Sequence, residues 1–216
     1  FDGEVIPSPT GNAGTVTIQG LASPAQSVLI DGPGSGIFTN TEGTGVGGNI
    51  LIETSQSTTL TNDASVSASS TGTMDSAGDA GMVTIHAGNT FLMQGSSIST
   101  QATKSGGGQI EINAANLFRL INSKVSSSVL DGTGGGGDIT IDPQYVILQN
   151  SQILAQATQG QGGAISIVIT NGGLFLPDAN STISASSQFG VNGTITIQSP
   201  NAPISGQIQP LGKTPL

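Results

Sequence analysis

Short alternations of apolar and polar residues recur along this chain, each introduced by a pair of small residues. The clearest is GGGGDITI at residues 134–141, and variants end at Ile18 (AGTVTI), Ile52 (GGNILI), Ile85 (AGMVTI), Ile112 (GGQIEI), Ile167 (GGAISI) and Ile197 (NGTITI). Counted between the first apolar residues of the copies (Val16, Ile50, Val83, Ile110, Ile139, Ile165 and Ile195), the steps are 34, 33, 27, 29, 26 and 30 residues. Self-similarity at such a period marks a repeat architecture, in which each unit stacks on its neighbours because none can close a core alone. Period-2 alternation predicts a strand at each anchor, with both apolar residues pointing inward.

Each anchor is followed by an apolar run, a turn residue and a β-branched residue three positions on. The turn column reads Gly34, Asp63, Gly95, Asn122, Asn150 and Asn180, and the β-branched column Ile37, Val66, Ile98, Val125, Ile153 and Ile183. Gly, Asn and Asp tolerate left-handed backbone, so the column predicts a sharp corner. Two positions beyond the β-branched residue stand Ala68, Thr100, Ser127, Ala155 and Ala185, sized for a narrow corner of the core. Three short strands per repeat and no helix signal predict an all-β fold, a right-handed parallel β-helix (a three-sheet solenoid) of about seven rungs. Its expected organisation is a lead-in or cap over residues 1–12, the β-helix over 13–199, and a proline-bearing tail or cap over 200–216.

Within the strand before the corner, Thr59, Phe91, Phe118, Val146 and Phe175 share one parity with Thr61, Met93, Leu120, Leu148 and Pro177, and are expected in the core. The intervening positions face out. They are Leu60, Leu92, Arg119, Ile147 and Leu176, joined in the later repeats by Leu117, Tyr145 and Leu174. An outward column this apolar predicts a covered surface, and Leu60, Leu92, Leu117, Tyr145, Ile147, Leu174 and Leu176 form a candidate self-association strip. Unpaired strand edges at the solenoid ends are a second route to assembly. The anchor face is polar by contrast, its outward column reading Thr17, Leu51, Thr84, Glu111, Thr140, Ser166 and Thr196.

Glycine takes 33 of the 216 positions, and it falls at turns and anchors rather than at random. Four Lys and Arg against thirteen Asp and Glu give a net charge of −9, with Lys104, Arg119, Lys124 and Lys213 the only basic side chains. Nucleic acid is therefore not expected as a partner, since phosphate neutralisation needs clustered cations. Membrane insertion is not expected either, because the longest apolar run, near Ile165, is far too short to span a bilayer. No signal peptide is visible from Phe1 onward, which suits a mature product or a fragment. Cysteine is absent, so the rungs must hold without disulfides.

Chemistry is sparse. Gly132, Gly134 and Gly137 match GxGxxG, but no lysine or helix follows, and the glycines recur as repeat anchors. A calcium-roll reading of GGGGD lacks the nine-residue period. The acids are scattered: Asp75 with Asp79, Asp131 with Asp138 and Asp142, Glu53 and Glu111 singly. His86 is the only histidine and is expected as a polar strand-end residue, so no nucleophilic triad is legible. Accordingly no catalytic residues, cofactor or metal are expected, and the chain reads as a non-enzyme. Asn122, Asn150 and Asn180 align as an amide ladder or, alternatively, a sugar-binding row.

The strands GGDITI and GGQIEI, the corners LQNSQILAQAT and LINSKVSS, and the segment ISASSQFGVNGTITIQSPNAPISGQI together resemble the filamentous-haemagglutinin-like exoproteins of two-partner secretion in Gram-negative bacteria and cyanobacteria. The resemblance covers residues 11–208. It implies the carboxyl-terminal part of a β-helical passenger, an extracellular or cell-surface location, and roles in adhesion, aggregation or biofilm matrix. Implied partners are further copies of the chain, end to end or laterally, and a glycan or cell-surface receptor. The amino-terminal secretion domain of that family, with its asparagine-rich signature, has no counterpart in this sequence. The competing function is a carbohydrate-binding or polysaccharide-degrading β-helix module.

Overall fold

A computed structural model describes residues 10–199. Those residues form a β-solenoid of about six turns, built from sixteen strands and no helix, and every strand pairing is parallel. The anchors are β1 (Thr15–Ile18), β4 (Asn49–Thr61), β6 (Met82–Ala87), β9 (Gln109–Ile121), β11 (Ile139–Gln149), β13 (Ala164–Val168) and β16 (Thr194–Gln198), stacked in that order. β2 (Ala25–Asp31), β7 (Thr90–Gln94) and β14 (Leu174–Pro177) stack on the second halves of β4, β9 and β11, so hydrogen bonding joins all ten strands into one sheet. The corner strands form the other, six-stranded sheet: β3 (Gly36–Phe38), β5 (Ser65–Ser67), β8 (Ser97–Ser99), β10 (Lys124–Ser126), β12 (Gln152–Leu154) and β15 (Thr182–Ser184).

The register is the one that the alternation dictates. Val16, Ile50, Val83, Ile110, Ile139, Ile165 and Ile195 lie on one line, and Ile37 to Ile183 on another. From Ile50 to Ile167 the anchor residues are buried, as are Ala68, Thr100, Ser127, Ala155 and Ala185 in the narrow corner. Phe91 and Phe118 stack in the core with centroids 5.3 Å apart and planes 14° from parallel.

Each turn closes where an anchor begins. The N–H groups of Gly48, Gly81, Gly108, Gly137, Gly163 and Gly193 bond the carbonyls of Thr39, Ala68, Thr100, Ser127, Ala155 and Ala185, all at 2.7–2.9 Å. A side chain at any of these glycines would run into the carbonyl oxygen of the equivalent glycine one turn below, from Gly14 under Gly48 to Gly163 under Gly193. Glycine therefore recurs in the sequence because backbone meets backbone at this point in every turn.

Corners use left-handed backbone at Gly34 (φ 78°), Asp63 (66°), Gly95 (59°), Asn122 (48°) and Asn150 (46°). Asn180 departs from the column and is not left-handed. Its corner is one residue longer, and the carboxylate of Asp178 organises it by accepting from Ser181 Oγ (2.6 Å) and the N–H of Asn180 (3.2 Å). The expected amide ladder is made once, from Asn150 Nδ2 to Asn122 Oδ1 at 2.8 Å, and at the next step the N–H of Asn150 reaches Asp178 instead (2.9 Å).

Three expectations about the core are corrected. Pro177 pairs with Leu148 as the register requires but is exposed, since among the described residues nothing stacks beyond β14. Ile195 and Ile197 hold their register but are 44% and 39% exposed, because among the described residues no strand stacks beyond β16. In the second turn Leu60 pairs with Met93 and Thr58 with Phe91, so Leu60 and Thr58 point inward and are fully buried, whereas Thr59 and Thr61, both expected in the core, face out. The cause is a corner with two left-handed residues in succession, Asn62 (φ 55°) and Asp63, which adds one residue between strand and corner and shifts the count. The buried Thr58 hydroxyl is matched by Thr54 Oγ1 at 3.2 Å. Residues 1–9 of the expected lead-in and the whole of the tail fall outside the described residues.

Candidate functional site

Parallel stacking in register turns every outward position into a column, so a surface feature here is a line along the axis. On the second strand one line runs Leu29, Thr59, Leu92, Arg119, Ile147 and Leu176, and beside it run Thr90, Leu117, Tyr145 and Leu174. Leu92, Leu117, Tyr145 and Ile147 are half-buried, while Leu174 and Leu176 are 43% and 51% exposed. Six of the seven candidate residues thus lie together on one face, and Leu60 does not belong to it. Leu29, 67% exposed at the first turn, extends the strip and was not singled out from the sequence. Ile121 flanks it, half-buried. Their signal was the alternation in AQSVLID and in NLFRLI.

Polar groups interrupt the strip at Thr59 and Arg119. The guanidinium of Arg119 donates from Nη2 (2.7 Å) and Nε (3.2 Å) to Gln149 Oε1 one turn on, which holds it along the surface rather than out into solvent. Leu, Ile and Tyr side chains on this face offer apolar area and a single phenol, which suits docking.

The anchor face carries a constellation that the sequence did not reveal. Glu53, His86 and Asn113 occupy one column, and Glu111 lies diagonally beside them. His86 sits between two carboxylates, with Nδ1 3.7 Å from Glu53 Oε1 and Nε2 4.0 Å from Glu111 Oε1, and Asn113 Nδ2 donates to Glu111 Oε1 at 2.9 Å. These become ion pairs when the imidazole is protonated. One imidazole cannot direct both nitrogens at a single cation, and among the described residues no group of three or more His, Cys, Asp or Glu is placed to hold a metal ion.

On the loop side, Lys104 Nζ donates to Asp131 Oδ2 at 2.6 Å, which raises the lysine pKa, and Asp79 Oδ1 accepts from Ser105 Oγ and from the N–H of Gly106 (2.7 Å). Gly132, Gly134 and Gly137 stack against the backbone of residues 104–108 in the turn below, so the GxGxxG spacing belongs to the solenoid.

Two end corners respond to acid. Asp31 accepts from Thr61 Oγ1 (2.6 Å) and Asn62 Nδ2 (2.8 Å), and Asp178 from Ser181 and then backbone N–H groups, and these bonds hold both carboxyls below the usual value of 3.8. A depressed carboxyl stabilises the fold above its unfolded pKa, and that contribution disappears as the pH falls through the lower, folded value. Amide exchange at Asn150, which donates to Asp178, is expected to accelerate in that range relative to Asn122, which donates to the Gln149 carbonyl. Parallel behaviour of the two amides would refute the assignment.

In comparisons with protein-family models, curated proteins and solved structures, nothing matches the chain.

Proposed function

We propose that this chain is a rigid segment of an extracellular structural or adhesive protein, a right-handed, three-sheet β-helix of about seven rungs that acts through its length, its surface and its self-association. The reading places it with filamentous-haemagglutinin-like exoproteins, at the cell surface or in an extracellular matrix, without a catalytic role. The observation that carries it is the apolar strip along the second-strand face, from Leu29 to Leu174 and Leu176. Thr59 and Arg119 interrupt the line, yet it gathers exposed Leu29, Leu174 and Leu176 and half-buried Leu92, Leu117, Tyr145 and Ile147 on one face, and apolar surface concentrated in this way marks an interaction site. Full burial of such a side chain is worth about 1.5–3 kcal/mol. Several half-exposed ones on a straight line reward a partner that is itself straight, and a second copy meets that requirement. A glycan or receptor on a cell is the further partner that the adhesive role calls for.

Electron microscopy of the purified chain tests this. Fibres or laterally paired rods, longer or wider than one solenoid of about six turns at roughly 4.8 Å each, are the expected result. A field of isolated short particles at every concentration would refute it.

A further inference from the structure

The strip restricts how a second copy can lie on it. Its face is three outward positions wide on each turn, from Ser27, Leu29 and Asp31 at the first turn to Leu174, Leu176 and Asp178 at the sixth. The central line changes in character along the axis. Leu29 and Leu176 close its two ends at 67% and 51% exposure, and Leu92 and Ile147 lie half-buried between them. Its polar interruptions are unevenly placed, Thr59 at the second turn and Arg119 at the fourth.

Area sets the first condition. Six turns at roughly 4.8 Å and five strand residues at roughly 3.3 Å make a face of about 29 by 17 Å, so two copies in full overlap bury about 1,000 Å² in all. A specific interface needs at least about that much. An offset of two turns would forfeit about a third of it, so the copies must match along their whole described length.

A two-fold axis between two such faces gives two full matches. With the axis along the solenoid the copies run parallel, and every residue of the central line meets its own equivalent. Arg119 then faces Arg119 in the middle of the contact. Each guanidinium is held along the surface by its bonds to Gln149 Oε1 (2.7 and 3.2 Å) and leaves the contact only by giving them up, so two like charges would be desolvated together. With the axis across the solenoid the copies run antiparallel, and the first turn meets the sixth. Leu29 meets Leu176, Thr59 meets Ile147 and Leu92 meets Arg119. Neither polar interruption meets its own kind, and the two most exposed leucines of the line cover each other at both ends. The stem of Arg119, lying along the surface, offers its methylenes to Leu92. The like charges that this arrangement opposes, Asp31 and Asp178, stand at the rim, where water and salt screen them.

From this we infer that the strip pairs two copies of the chain face to face and antiparallel, first turn on sixth. The inference rests on the reading of the strip as a self-association surface and supplies the orientation of the partner. An isologous contact of this kind occupies the same face on both copies, so the strip makes pairs of rods and not sheets of them.

Charge complementation tests it, read by sedimentation velocity of the whole chain carrying Leu29→Lys or Leu176→Glu, two exposed positions outside the core. In an antiparallel pair each variant meeting itself sets its new charge against an unchanged leucine, whereas the two variants meeting each other set the ammonium against the carboxylate. Each variant alone should associate at least about tenfold more weakly than the parent, and an equimolar mixture should recover to within about threefold of it. In a parallel pair the mixture would set both charges against leucine and recover nothing. Circular dichroism confirms that both variants keep their fold. A mixture no better than its components, or single variants that associate as the parent does, would overturn the antiparallel pairing while an associating parent upholds the strip as an interface. A parent that stays monomeric at every concentration would overturn both.

Discussion

Replacing Gly137 with alanine is expected to destabilise the solenoid at or beyond the upper end of the roughly 1–3 kcal/mol typical of overpacked sites. The new methyl group would collide with the carbonyl oxygen of Gly108 one turn below and with Ser127 Oγ beside it. The Gly108 carbonyl belongs to backbone and cannot rotate away, and the hydroxyl of fully buried Ser127 could leave only by giving up its bond to that same carbonyl. Relief requires the turns to separate, and their separation is fixed by strand pairing on both sides. Gly135 provides the control two residues away, since an added methyl there meets only the Gln161 carbonyl, at 3.4 Å. Denaturant midpoints should therefore fall sharply for Gly137→Ala and barely move for Gly135→Ala. Equal midpoints would mean that the glycine column is not a contact between backbones.

Truncating Ile112 should cost about 2–5 kcal/mol. Its side chain is fully buried in the middle of the stack, in register between Ile85 and Ile141, with covered turns on both sides. The backbone around it is held by pairing to two neighbours, so the cavity left by Ile112→Ala cannot collapse. Ile197→Ala removes the same atoms from the same column at the last described strand, where the side chain is 39% exposed, and should cost much less. Chemical denaturation of the two variants compares them directly. A midpoint for Ile112→Ala equal to that of the parent would contradict the assigned register.

The solenoid was legible in the sequence because stacking repeats one chemical demand per turn: a glycine where backbones meet, a β-branched residue after each corner, small residues in the narrow corner. What escaped was whatever depended on one turn differing from the next. Leu60 was placed outward because its alignment counted back from Val66 across a corner that holds one additional left-handed residue, Asn62. Ile195 and Ile197 obey the pattern, yet a pattern does not say whether a strand is covered on both sides, and among the described residues nothing stacks on β16. His86 is 33 residues from Glu53 and 25 from Glu111 in the chain, and only the register brings the three together.

The proposed self-association is tested most directly by sedimentation velocity of the parent beside the double variant Leu92→Lys and Ile147→Lys over a range of concentrations. Both residues are half-buried in the strip and neither contributes to the core. Two ammonium groups facing a second copy would have to be desolvated or repel their counterparts, so the variant is expected to remain monomeric at concentrations where the parent sediments as larger, elongated species, with its circular dichroism unchanged. A parent that is monomeric throughout, or a variant that associates as the parent does, would contradict the account.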